Sequence, residues 1–171
     1  MQLLFVCTGN ICRSPSAERL ATAWAARNGA SDLTASSAGT RAVVGSGIEP
    51  TAAHILSMLG GDPDGFVARR LTPAIAGSAD LILTMTESHR DAVLRIAPRQ
   101  LKRTFTLLEA AHLAAAVGPA TVAELAAARG TVARPANADV PDPIGQSSTV
   151  FGDVGSLIEK ALLDLLPRLS R

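Results

Sequence analysis

The stretch Cys7-Thr8-Gly9-Asn10-Ile11-Cys12-Arg13, followed by Ser14-Pro15, separates a cysteine from an arginine by five residues. A thiolate attacks phosphorus, and a guanidinium grips two phosphate oxygens at once, so the pair suits phosphoryl transfer. The loop lies between a continuous apolar run, Leu3-Leu4-Phe5-Val6, and a helical pattern. Ligands of open α/β sheets bind at such strand-to-helix turns. A loop curling there turns successive backbone N–H groups inward, and the helix end adds positive potential. Gly9 permits the tight curl, and Asn10 tolerates a left-handed conformation. Thr8, Gly9, Asn10, Ile11, Cys12, Arg13 and Ser14 would then ring a phosphate dianion. The same field favours Cys7 as a thiolate at neutral pH. Arg13 would hold the ground state and stabilise charge on the equatorial oxygens during transfer. The Ser14 hydroxyl can donate to the Cys7 sulfur and help it leave.

Other readings of these residues are weaker. A cysteine at a strand end is often a small buried hydrophobe, and a C-x5-R spacing arises by chance. The position between strand and helix, with Gly, Asn and Ser-Pro correctly placed, selects the catalytic reading. For a metal site, Cys7 and Cys12 have no C-x2-C or H-x3-H partner, and His54, His89 and His112 are scattered. The three histidines read as ordinary surface or helix residues. No metal and no organic cofactor is implied. Asp142-Pro143 reads, by spacing alone, as a turn.

The elements that must position the loop follow from the pattern along the chain. Strands are expected at Leu3–Val6, Leu33–Ser37, Asp80–Met85 and Arg103–Leu107. The first helix is expected to take Ser14 as N-cap and Pro15 at its first position, with Glu18 in the first turn and Asn28-Gly29 as its stop. Further helices are expected from Pro50 to about Leu59, from Glu87 to Ile96, and on the stripe Val154 to Leu165. This alternation predicts parallel βαβ units, with helices on both faces of the sheet. Between about 118 and 138 lies an Ala-rich insertion, helical or a mobile flap, expected to border the pocket mouth and contribute to partner choice. The 171 residues make one domain spanning 1–171, and 47% hydrophobic content supplies its core. Aromatics are only 3%, and tyrosine is absent.

A formal net charge of +1 gives no broad footprint for nucleic acid or membrane. No apolar stretch approaches the ~20 residues of a membrane span. No basic leader precedes the first strand, and the two cysteines form no disulfide framework, so a cytoplasmic location is expected.

The segments Val6–Pro15, Ser37-Ala38-Gly39, Ala79–Met85 and Asp142-Pro143 together resemble the low-molecular-weight protein tyrosine phosphatase family. The insertion aside, the resemblance covers nearly the whole chain. It implies an α/β, Rossmann-like single domain with a four-stranded parallel sheet flanked by helices. It also implies hydrolysis of phosphotyrosine in phosphorylated proteins through a cysteinyl-phosphate, with inorganic phosphate as product. In that reading Cys7 is the nucleophile, Arg13 the phosphate clamp and Asp142 the general acid, then base. Asn10, Ser14 and Ser37 form a hydrogen-bond net that supports the loop. Cys12 stands where the family often has a second loop cysteine, which either captures oxidised Cys7 as a disulfide or packs beneath the loop.

Departures from the family pattern concern the substrate. Ile144-Gly145 follows Asp-Pro where tyrosine-specific members carry aromatics, and Thr40, Arg41, Val43 and Val44 supply no ring. Phe66 occupies a position where some relatives have a histidine supporting Asn10. Thr8 beside the nucleophile, with Asp-Pro-x-Gly, is similar to the bacterial protein arginine phosphatase branch, which is the alternative reading. Thiol-dependent arsenate reduction would need cysteines after Cys12, and none follows. A non-catalytic phosphopeptide-binding module would have lost Cys7, Arg13 or Asp142. Arg69-Arg70 and the Arg99–Arg103 run read as solvated faces without a site role.

Overall fold

The computed structural model describes residues 1–170. Four parallel strands, β1 (Gln2–Cys7), β2 (Thr34–Gly39), β3 (Leu81–Thr84) and β4 (Thr104–Thr106), form one sheet in the order β2-β1-β3-β4. Register runs Cys7 to Gly39 on one side of β1 and Val6 to Thr84 on the other. The chain passes from β1 out to β2, then crosses to β3 on the opposite side. The reversal opens a crevice at the carboxyl end of β1, where open α/β sheets bind ligands.

Both faces of β1 are covered, which is why its sequence is a continuous apolar run rather than an alternating one. Leu3, Phe5 and Cys7 join a cluster with Leu20, Leu107, Val154 and Ile158. Leu4 and Val6 join Ala76, Ile82 and Val93 on the other face. The first layer comes from α1 (Arg13–Arg27), α5 (Leu107–Val117) and α7 (Ser148–Leu165), and the second from α3 (Pro73–Ser78) and α4 (Glu87–Ile96). The α2 helix (Pro50–Met58) opens at Pro50 under a Glu49 cap and packs on α1 and α7.

Three local expectations change. The first helix begins at Arg13 rather than after Ser14, and its N-cap, Cys12, makes no side-chain cap bond. Ser14 therefore lies inside the first turn with its hydroxyl free for the site. Pro15 is tolerated because the N–H it lacks would have had no intrahelical partner there. Glu18 falls beyond the first turn and turns toward β2. The residues after β4 continue as α5 through a complete Thr106–Glu109 capping box, a helix the strand-like reading of Arg103–Leu107 concealed.

In the Ala-rich stretch, α6 (Val122–Ala128) packs on α5 and on the 3-10 turn Pro98–Arg103. It faces a cavity shared with Met1, Asp80 and Arg103, which precede β1, β3 and β4. That is the amino-terminal edge of the sheet, opposite the phosphate loop, so α6 does not border the pocket mouth. Just past the stretch, Asp139 accepts a bond from the Glu87 backbone N–H at the start of α4. No helix of the described residues is long and apolar enough to cross a membrane.

Candidate active site

Outward-facing carbonyls shape the phosphate loop. Those of Cys7, Thr8 and Gly9 accept from the N–H groups of Thr40, Arg41 and Val43, each at 2.9 Å, and that of Ile11 accepts from Glu49 at 2.7 Å. Because each trans peptide sets its N–H opposite its C=O, the N–H groups of Thr8, Gly9, Asn10 and Cys12 turn inward. Asn10 N–H reaches the Cys7 sulfur at 3.3 Å. The left-handed residue is Asn10, with φ 55°, the one non-glycine with positive φ among the described residues. Gly9 has a different use: a Cβ there would meet the Ile11 side chain at 3.3 Å.

A chain of side chains fixes this geometry. The Asn10 amide is fully buried and donates to Ser14 Oγ at 3.0 Å and to Ser37 Oγ at 2.8 Å. Ser37 in turn donates to a Glu18 carboxylate oxygen at 2.6 Å. With its oxygen accepting from Asn10, Ser14 has its own proton free for Cys7 Sγ at 2.9 Å. A donor to sulfur stabilises the thiolate and the departing thiolate alike. Asn10 Oδ1 accepts the Arg69 backbone N–H at 2.9 Å, and Arg69 Nε donates to the Ser37 carbonyl at 2.8 Å. Arg69, read from sequence as a solvated cation, thus supports the loop. So does Glu18, whose position along α1 gave no hint of it.

Arg13 is buried and joins the loop to the distant acid. It donates to the Val140 carbonyl at 3.0 Å and to Asp142 Oδ2 at 2.7 Å. Asp142 Oδ1 accepts from the Ile144 N–H at 3.2 Å, the Asx turn that Asp-Pro favours. The turn reading and the site reading of Asp142 therefore hold together. Val140 N–H bonds the Met85 carbonyl at 2.7 Å, just past β3, which brings the 139–145 segment over the crevice. Arg13, at the end of the loop that Cys7 begins, is thus paired with Asp142.

Cys12 points away, into an apolar contact with Ala52 and Phe151. Burial first, then the charge of Cys7, pushes its thiol up to about 12. Both cysteines are free. Among the described residues no group of His, Cys, Asp and Glu could hold a metal.

His54 and His112 are exposed, but His89 is not an ordinary helix residue. It is buried, with Nε2 at 2.8 Å from Thr8 Oγ1 and Nδ1 at 2.9 Å from Thr86 Oγ1. Burial, then the Arg13 charge, lowers its pKa to about 4. A lone histidine on a helix carries no motif, so only the tertiary contact reveals it. The pocket rim is aliphatic, with Val43, Val44 and Ile144 exposed.

The site thus sets a thiol among inward N–H groups, with an arginine paired to a carboxylate, at the carboxyl end of a doubly wound sheet. The family model for low molecular weight phosphotyrosine protein phosphatase matches residues 2–117, and the chain belongs to that family. Etp of Escherichia coli K12, a low molecular weight protein-tyrosine-phosphatase, is 32% identical over 99% of this chain and 95% of its own. Wzb of Salmonella typhi, a low molecular weight protein-tyrosine-phosphatase, is 40% identical over 57% of this chain, which spans 62% of its length. A solved structure of the arginine phosphatase YwlE, in a mutant with a phosphorylated active-site serine, superposes with a TM-score of 0.78 at 29% identity, covering 98% of this chain and 94% of that one.

Proposed function

We propose that this chain is a protein phosphatase that hydrolyses phosphotyrosine in protein substrates through a cysteinyl-phosphate on Cys7. The observation that carries the reading is the convergence of Cys7, Arg13 and Asp142 around one loop, with Ser14 donating to the sulfur. Sulfur attacks phosphorus as the bond to the phenolic oxygen breaks, and Asp142 gives that oxygen its proton. Arg13 uses two N–H groups on Val140 and Asp142, and its remaining donors serve the phosphoryl oxygens. Asp142 then takes a proton from water, which attacks phosphorus. The S–P bond breaks with Ser14 donating to the sulfur, and inorganic phosphate leaves. The Thr8 to Ser14 backbone holds the phosphoryl group in both steps, and Ser37 supports Asn10. Free cysteines suit a reducing compartment, and we place the reaction in the cytoplasm.

A second reading, hydrolysis of phosphoarginine by the same steps, is favoured by Thr8 beside the nucleophile and by the likeness to YwlE. Phosphate release from matched phosphotyrosine and phosphoarginine peptides separates the two. The expected result is release from phosphotyrosine that Cys7→Ser abolishes. A strong preference for phosphoarginine would transfer the assignment to the second reading, and release that survives Cys7→Ser would overturn both.

A further inference from the structure

The Ala-rich insertion and the cations before β4 take no part in the chemistry at Cys7, and they meet at the cavity on the amino-terminal edge of the sheet. Its volume is about 730 Å³, within the roughly 300 to 1,000 Å³ of pockets that take small organic ligands. One wall is a stripe of α6, formed by Val122, Ala123, Ala126 and Ala127, which are neighbours at i, i+4 spacing. Three of the four are alanine, so their side chains leave the space unfilled. Met1, Lys102 and Arg103 also line it.

The α6 helix cannot close this gap, because both its ends are fastened elsewhere. At its start Thr121 and Glu124 form a capping box. The Ala120 N–H donates to the Arg168 carbonyl at 2.9 Å, and the Ala120 carbonyl accepts from the Ser170 N–H at 3.0 Å. At its end Arg129 lies over the Phe105 ring at 3.8 Å and donates to Glu109 at 2.7 Å and to the Thr104 carbonyl at 2.6 Å. A pocket held open in advance costs little ordering when a ligand enters.

The lining also specifies the ligand. An apolar wall takes methylene groups. Lys102 and Arg103 are exposed, and among the described residues their side chains have no ion-pair or hydrogen-bond partner. Asp80, a carboxylate on the cavity, already accepts the Gln2 backbone N–H at 2.7 Å. Two unpaired cations beside an apolar wall complement a small acid with an apolar body. We propose that this cavity binds a medium-chain carboxylate, its tail along α6 and its carboxylate on Lys102 and Arg103. The cavity and Cys7 lie at opposite ends of β1, roughly 17 Å apart at about 3.3 Å per residue, so an occupant leaves the phosphate loop free.

Decanoate is the probe, added to the full chain and followed by 1H–15N NMR. That readout needs no turnover, so it stands apart from the phosphatase reading. Saturable amide shifts are expected at Lys102, Arg103 and Val122 to Ala127, with a Kd below about 1 mM. The KM for p-nitrophenyl phosphate should not change. Decylamine, with the same tail and a positive head, is expected to bind at least about tenfold more weakly, the equivalent of two exposed ion pairs. The double variant Lys102→Glu, Arg103→Glu should weaken decanoate by about the same factor. Ala123→Trp, at an exposed position on the wall, is expected to exclude decanoate by filling the space. Equal binding of decanoate and decylamine, or undiminished binding in the charge-reversed variant, would overturn the proposal. So would the absence of any shift, or shifts confined to the phosphate loop that inorganic phosphate displaces.

Discussion

Replacing Asn10 by Ala and by Gly separates what its side chain contributes from what its backbone conformation costs. Both substitutions remove three hydrogen bonds, two buried ones to Ser14 and Ser37 and a half-buried one from the Arg69 N–H. At about 1 kcal/mol each, that is about 3 kcal/mol. Gly accepts the left-handed conformation at φ 55° but adds freedom to the unfolded chain, about 0.5 to 1 kcal/mol. Ala avoids that term and instead meets left-handed strain of about 1 to 2 kcal/mol. The expected losses are about 4 kcal/mol for Asn10→Gly and about 4 to 5 for Asn10→Ala. Urea unfolding followed by fluorescence of Trp24, the chain's one tryptophan, measures both. Activity should fall as well, because Ser14 no longer has its proton directed at Cys7. A hydrogen bond to a charged group is worth about 1.5 to 3 kcal/mol, or roughly 10- to 100-fold in kcat/KM on p-nitrophenyl phosphate. A loss below about 1 kcal/mol in both variants, far under the three-bond sum, would refute the reasoning. So would Asn10→Gly with full activity.

His89 makes stability depend on pH in a defined window. Its pKa is 6.5 unfolded and about 4 folded, so between those values the unfolded chain binds a proton the folded protein does not. Stability is then full above 6.5 and declines as pH falls toward 4, by at most about 3 kcal/mol. Urea midpoints across that range should decline less in His89→Gln, and parallel profiles would contradict the assignment. Gly39→Ala should disturb the loop through the backbone, since a Cβ there would lie 2.5 Å from the Thr8 carbonyl oxygen and 3.0 Å from Ala42 Cα. A stability loss of about 1 to 3 kcal/mol is expected, with lowered activity toward p-nitrophenyl phosphate, and unchanged kinetics would argue against this packing. Cys12, with its thiol pushed up to about 12, should remain unmodified when limiting iodoacetamide at pH 7 has alkylated Cys7. Equal labelling of both cysteines in a peptide map would contradict that burial.

The parts of the site legible in sequence are those carried by one short segment. Cys7 to Ser14 declares its chemistry because nucleophile, curl, clamp and helix start all lie within a single strand-to-helix turn. The positions of β1 and β3 were also legible, because a strand buried on both faces writes a continuous apolar run. Asp142 was legible only through resemblance, since its partner Arg13 lies 129 residues away and its own neighbourhood is an ordinary turn. Glu18, Arg69 and His89 were not legible at all. Each acts on the loop from another part of the fold, and polar residues on helices and loops look like solvent-facing ones in sequence until tertiary contacts choose their partners. The Thr106 capping box was present in the sequence but was obscured by the strand it follows directly.

Beside the direct Arg13–Asp142 pair, Val140 anchors the backbone that carries the acid: its N–H is held by Met85, its carbonyl by Arg13, and its side chain is fully buried. The reach from α5 to this residue is otherwise under no geometric obligation to the chemistry. Chain closure depends only slowly on length, so residues can be added, lost or exchanged upstream without displacing Asp142. That arrangement separates two kinds of evolutionary change. The outer face can diversify to meet different proteins while the reaction geometry stays constant, and a single substitution at Val140 would couple the two again.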